Sequence, residues 1–140
     1  MAENAVRPKL VVADADAAID FYTRTLGANV LSCYRFDGSV VFAELEILGS
    51  SVTLKDADDT DPAAADGDRG ALLDVVVDDP DSIAAAMIDA GAESIFPIAD
   101  QPYGARGGRV LDPYGIQWLL QTPVTMSPAE WDRAVEDMGR

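Results

Sequence analysis

Glu44 is the side chain whose type and setting point most directly to chemistry. It lies in Val40-Val-Phe-Ala-Glu-Leu-Glu-Ile47, where strand alternation puts Phe42, Glu44 and Glu46 on one face and Ala43 and Leu45 on the other. A carboxylate beside an aromatic ring can hold a cation or, with its pKa raised by burial, act as a base. Arg106 follows Tyr103-Gly104-Ala105, and a guanidinium there can clamp a carboxylate or phosphate. Tyr103 and Trp118 offer flat faces on which a ring or cation can stack. Each of these has a plainer reading: a solvated strand face, a surface ion pair, a core aromatic. Phe21 and Tyr22 read as core. Cys33 has Arg35 as its nearest basic neighbour and reads as an inert strand thiol. Gly107-Gly108 lacks the third glycine and the following helix of a phosphate-binding loop. The chain has no histidine, so its own residues cannot assemble a histidine triad, a histidine-zinc site or a facial iron triad.

These residues must be positioned by a scaffold, and an internal repeat shows its plan. Val11-Val12-Ala13-Asp14 matches Val75-Val76-Val77-Asp78, and Gly27-Ala28 matches Gly91-Ala92, both 64 residues on. Each half reads as an apolar strand, an acidic cap, a helix of about a dozen residues, Gly-Ala, then strands. Leu10–Ala13 and Leu72–Val77 are the expected first strands. Ala18, Ile19, Tyr22 and Leu26 make one helical stripe, and Ile83, Ala86, Met87 and Ala90 the other. Asp14 or Asp16 can cap the first helix, Pro80 opens the second, and Gly27 and Gly91 suit C-terminal caps. Asp37-Gly38 signals a hairpin and Gly49-Ser50 the next turn. In the second half, strands are expected over 94–97, 108–111 and 116–121, with a glycine-rich loop over 99–108. Residues 56–70 carry six Asp, four Ala and no large apolar residue, which reads as an exposed, mobile linker. Ser127-Pro-Ala-Glu130 is a capping box that opens a last helix with a Trp131, Val135, Met138 stripe.

Composition bounds the function. The 140 residues hold 10 Lys+Arg against 25 Asp+Glu, a net charge of -15. Nucleic acid and anionic membrane are therefore not expected partners, because both need a positive footprint. One cysteine, no long apolar run and no basic-then-apolar start point to a reducing cytoplasm.

Two βαβββ halves with Leu10-Val-Val-Ala-Asp14, Ala18-Ile-Asp-Phe-Tyr22, Leu26-Gly-Ala28 and Ala43-Glu-Leu45 resemble the glyoxalase / bleomycin-resistance / extradiol-dioxygenase superfamily, also called vicinal oxygen chelate. Gln101-Pro-Tyr-Gly-Ala-Arg106 and Asp112-Pro-Tyr-Gly115 followed by Trp118 look most like its PhnB-like branch. The resemblance implies an α+β fold: one domain of two modules, residues 6–55 and 71–122, forming a curved mixed sheet with a central cup. The acidic linker 56–70 and a C-terminal helix over 127–140 complete it. It also implies a homodimer. In the superfamily's enzymes the cup holds a divalent metal, at positions that fall here near Arg7 or Pro8, Thr53, Ala71 or Leu72, and Leu119. Only Thr53 among these has a suitable oxygen, so no metal or other cofactor is expected. The function this implies is sequestration of a small aromatic or cationic molecule, such as an antibiotic, by Phe42, Glu44, Thr53, Tyr103, Arg106 and Trp118. The alternatives are a metal-independent isomerase or lyase acting on a small carbonyl compound with Glu44 as base, and an interaction domain whose cup is filled by its own side chains.

Overall fold

The computed structural model describes residues 4–65 and 68–138, without the side chain of Met138. The chain runs β1 (Lys9–Val12), α1 (Ala15–Leu26), β2 (Asn29–Phe36), β3 (Ser39–Ile47), β4 (Ser50–Asp56), β5 (Leu72–Val76), α2 (Pro80–Asp89), β6 (Glu93–Asp100), β7 (Arg106–Leu111), β8 (Gln117–Gln121) and α3 (Pro128–Met138). Two four-stranded sheets form, ordered β1-β4-β3-β2 and β5-β8-β7-β6. In each, the first strand lies parallel to the last and the other pairs are antiparallel. Parallel neighbours need a crossover, which includes α1 in one module and α2 in the other. The two modules read from the repeat are therefore present, side by side and not closed into a barrel.

Local sequence sets the boundaries. Asp14 and Asp79 each accept a backbone N–H at 3.1 Å, from Ala17 and Ser82, so the caps lie 65 residues apart. Gly27 closes α1 at φ +65°, whereas α2 ends on Ala90, one residue before Gly91. Asp37 and Gly38 both adopt positive φ, which a two-residue hairpin needs. The next turn is Leu48-Gly49, not Gly49-Ser50, and it holds Leu48 at φ +51°.

The second half departs further from expectation. β6 does not stop at Pro97 but runs through it to Asp100. Register shifts between Ser94 and Phe96 and between Phe96 and Ala99 place bulges there, which tolerate a residue without a donor. Gly108 allows the approach, since a Cβ there would lie 2.5 Å from the Phe96 carbonyl oxygen. Gly107 and Gly108, read as loop, thus belong to β7, and only 101–105 remain as loop. The linker is less free than its composition suggests. Lys55 Nζ lies 2.7 Å from both Asp58 and Asp61, and Gly70 N donates to Gly115 O at 2.6 Å. Asp66 and Gly67 lie outside the described residues.

One core serves both modules. Leu10, Val12, Leu45, Leu54, Val110, Trp118 and Leu120 come from the helix-bearing sheet faces, and Phe21, Tyr22, Leu26 and Met87 from the helices. Asp112 joins the modules: it accepts from Tyr22 Oη at 2.6 Å and Trp118 Nε1 at 2.9 Å while buried. Among the described residues no helix is long and apolar enough to cross a membrane. α3 begins with the expected reciprocal bonds between Ser127 and Glu130. Its Trp131 meets the Tyr103 ring edge-on at 6.4 Å, but Trp131 and Val135 stay exposed.

Candidate functional site

The faces turned away from the helices are the chemically varied ones. Across the first sheet, Lys9, Thr53, Glu44 and Ser32 are successive partners. Across the second, Asp74, Leu119, Arg109 and Phe96 take the equivalent places. Among the described residues, no hydrogen bond or ion pair joins one row to the other.

Three of the expected site residues gather on the first open face. Phe42 is half-buried, with Arg7 and Lys9 over its ring at 5.9 and 5.7 Å. Thr53 is buried and donates to the Pro8 carbonyl at 3.4 Å. Glu44 Oε2 accepts from Ser51 Oγ at 2.6 Å and from Arg7 Nη1 at 3.1 Å. These two donors, Ser51 foremost, hold the Glu44 carboxyl below the usual carboxylate range. The direction is opposite to the one a general base needs. The charge expected to attract a cation is also already matched by Arg7.

The other three lie elsewhere. Tyr103 is on the second open face, where its hydroxyl donates to Gln121 Oε1 at 3.3 Å. Gln121 Nε2 in turn donates to Asp74 Oδ1 at 3.0 Å. Arg106 is not free to clamp an anion. It makes two 2.8 Å bonds to Asp81 and one of 3.2 Å to Asp100. Asp81, then Asp100, push its guanidinium further above its ordinary value. Trp118 does not reach the open face. Alternation points it inward, 1% exposed, tilted against Tyr22 with ring centres 5.3 Å apart. Cys33 is exposed on β2.

Sequence reasoning missed Arg109. It sits 65 residues after Glu44, at the equivalent ladder position. That offset, the same as between the helix caps, was the signal that could have found it. With Phe96, Gln101, Tyr103 and Leu119 it lines a cavity of about 280 Å³ on the second face. A separate cavity of about 720 Å³ on the first is lined by Arg7, Glu44 and Ser51 among others.

The metal of the superfamily's enzymes does not fit these residues. The central row positions hold an ammonium, a hydroxyl, one carboxylate and a leucine. Among the described residues, no three His, Cys, Asp or Glu side chains converge as a ligand set. A hard or borderline divalent ion needs more anionic or imidazole donors than this.

The comparisons agree with the architecture. The family model for the Glyoxalase/Bleomycin resistance protein/Dioxygenase superfamily matches residues 5–120. A Mycobacterium tuberculosis protein, Rv0887c, is 35% identical over 130 residues, covering 87% of this chain and 76% of its own. The crystal structure of TioX from Micromonospora sp. ML1 superimposes with a TM-score of 0.69 at 26% identity, covering 86% of this chain and 98% of TioX. A PhnB protein from Bacillus cereus, at 18% identity and TM-score 0.66, shares the fold over 86% of this chain and all of its own. The fosfomycin resistance protein FosX from Listeria monocytogenes, at 14% identity and TM-score 0.66, does so over 93% and 98%. Matched along most of its length and built of two βαβββ modules, the chain belongs to the Glyoxalase/Bleomycin resistance protein/Dioxygenase superfamily.

Proposed function

We propose that the chain binds a small, flat organic molecule on its open sheet faces and releases it unchanged. One observation carries this reading. The second face keeps Phe96, Tyr103 and polar side chains around one cavity and the first keeps Arg7, Glu44 and Ser51 around another, while the places of a metal-ligand set hold Lys9, Thr53, Asp74 and Leu119, with a single carboxylate among them. Glu44, the one acid suited to act as a base, is instead ion-paired. The relatedness in fold to proteins named for fosfomycin resistance supports an antibiotic or similar compound as ligand. Thermal-shift screening with flat aromatic antibiotics, followed by mass spectrometry of the recovered compound, tests it. A raised melting temperature with the compound intact supports binding. A chemically altered compound overturns it in favour of catalysis, and no shift with any compound favours an interaction domain.

The same reading includes a homodimer. β2 exposes Val30, Leu31, Tyr34 and Phe36, the last 75% accessible, along a sheet edge, and such an edge is normally paired or covered. Sedimentation velocity is expected to give a dimer that Phe36→Asp converts to monomer. An exposed, unpaired Cys33 suits a reducing cytoplasm.

A further inference from the structure

Arg109 lies at the middle of the second open face, between Leu119 on β8 and Phe96 on β6. Its guanidinium sits 5.6 Å over the Phe96 ring centre. Nη1 donates to Gln117 Oε1 at 3.4 Å, and Gln117 is oriented by its own bond to the Gly70 carbonyl at 3.2 Å. Nε is buried and has no partner. The chain carries 25 acids against 10 cations, so this is not for want of carboxylates. Arg7, Arg24, Arg35, Lys55 and Arg106 each have one within 3.1 Å. Lys9, Arg69 and Arg133 are exposed, where water solvates them. Arg109 alone among the described cations is half-buried with no carboxylate and only a neutral amide as hydrogen-bond partner, an arrangement that costs stability.

The cavity beside it narrows the purpose. Arg109 is the single charged group among its lining residues. Gln101 spends its amide hydrogens on the Ala99 and Gly107 carbonyls, and Tyr103 gives its hydroxyl hydrogen to Gln121. The unspent donors of the pocket therefore belong to Arg109, against an apolar wall of Phe96 and Leu119. A guanidinium without a carboxylate partner in its own chain can recognise a carboxylate through charge-assisted N–H donors. We propose that Arg109 is the recognition group of a site for aromatic carboxylates. The acid group would meet Arg109 and the ring would lie against Phe96 and Leu119. This rests on the reading that the open faces hold a small organic molecule, and it gives that molecule a negative end instead of the positive one expected from Glu44.

The test uses three probes of one shape: 1-naphthoate, 1-naphthamide and 1-naphthylmethylamine, titrated by calorimetry into the full-length protein and its Arg109→Met, Arg109→Lys and Arg106→Gln variants. Naphthoate is expected to bind at least about tenfold more tightly than naphthamide, the worth of one charge-assisted pair. Arg109→Met should erase that preference, Arg109→Lys should keep part of it, and Arg106→Gln should leave it unchanged. Arg109→Met should also melt no lower than the parent, because it removes an unsatisfied buried donor, and should sediment as the parent does. If naphthamide or the amine binds as well as naphthoate, the acid preference is overturned while the small-molecule reading stands. If no probe binds, the aromatic-carboxylate proposal is overturned, and the small-molecule reading falls with it only when the antibiotic screen also gives no shift. A lowered melting temperature or a changed sedimentation coefficient for Arg109→Met would assign Arg109 to the fold or to a contact between copies and overturn the proposal.

Discussion

Asp112 is a buried carboxylate with four donors: Tyr22 Oη, Trp118 Nε1 and the backbone amides of Tyr114 and Ile116. A charge that deep is tolerable because each lone-pair direction is used. Tyr22→Phe removes the 2.6 Å bond and is expected to cost about 1–3 kcal/mol at neutral pH, measured by urea denaturation. Burial, then the neighbouring Asp112 charge, push the Tyr22 phenol well above its ordinary value. A raised folded-state pKa contributes stability that is complete below the unfolded value, about 10 for tyrosine, and declines as pH rises past it. The parent should therefore lose stability steeply above that pH, and its advantage over Tyr22→Phe should shrink there. Glu44 works in the opposite sense. Its depressed pKa supports the fold above the unfolded value and ceases to as pH falls. Side-chain carboxyl NMR should show Glu44 titrating below its ordinary value, with Ser51→Ala raising its midpoint more than Arg7→Ala does. Glu44 was legible from alternation within one strand. Its partner Arg7, 37 residues away, was not, because ion pairing depends on which strands become neighbours. Trp118 misled for a related reason: its type suits stacking, but the parity of β8 decides which way it points.

At the scale of elements, the caps, the Asp37-Gly38 hairpin and the α3 capping box were readable because each is a short-range rule. β6 was not, since Pro97 normally ends a central strand and the bulges that admit it depend on Gly108 across the ladder. Leu48 exposes a local conflict. A non-glycine residue at φ +51° carries a cost of roughly 1–2 kcal/mol, and asparagine is preferred at this turn position. Leu48→Asn is expected to stabilise the protein by about 1 kcal/mol in chemical denaturation, less whatever its side chain contributes over Val76 and Ile83. α3 tests the reverse case, a good start signal without a packed face. Ser127→Ala should lower protection of the first α3 amides in hydrogen exchange by about 0.5–2 kcal/mol, with no measurable change in global melting temperature.

At the scale of the whole molecule, the duplication is what made the fold legible, and divergence between its halves is what hid the candidate site. Equivalent ladder positions carry Lys9 and Asp74, Thr53 and Leu119, Glu44 and Arg109. The copies have kept their backbone plan and reversed their charges. Such reversal leaves no periodic signature, because the hydrophobic pattern that defines each strand is unaffected. The bond from Tyr22 to Asp112 has one more implication. Phe21 and Tyr22 sit against Tyr114 and Trp118 of the other half, so neither half encloses its own interior. Protease cleavage at Ala63–Ala65 should give two fragments that co-elute and melt as one transition, and separately expressed halves should be insoluble until mixed. A single module of this kind, standing alone, would leave its aromatic face open to water and would need a second copy to close it.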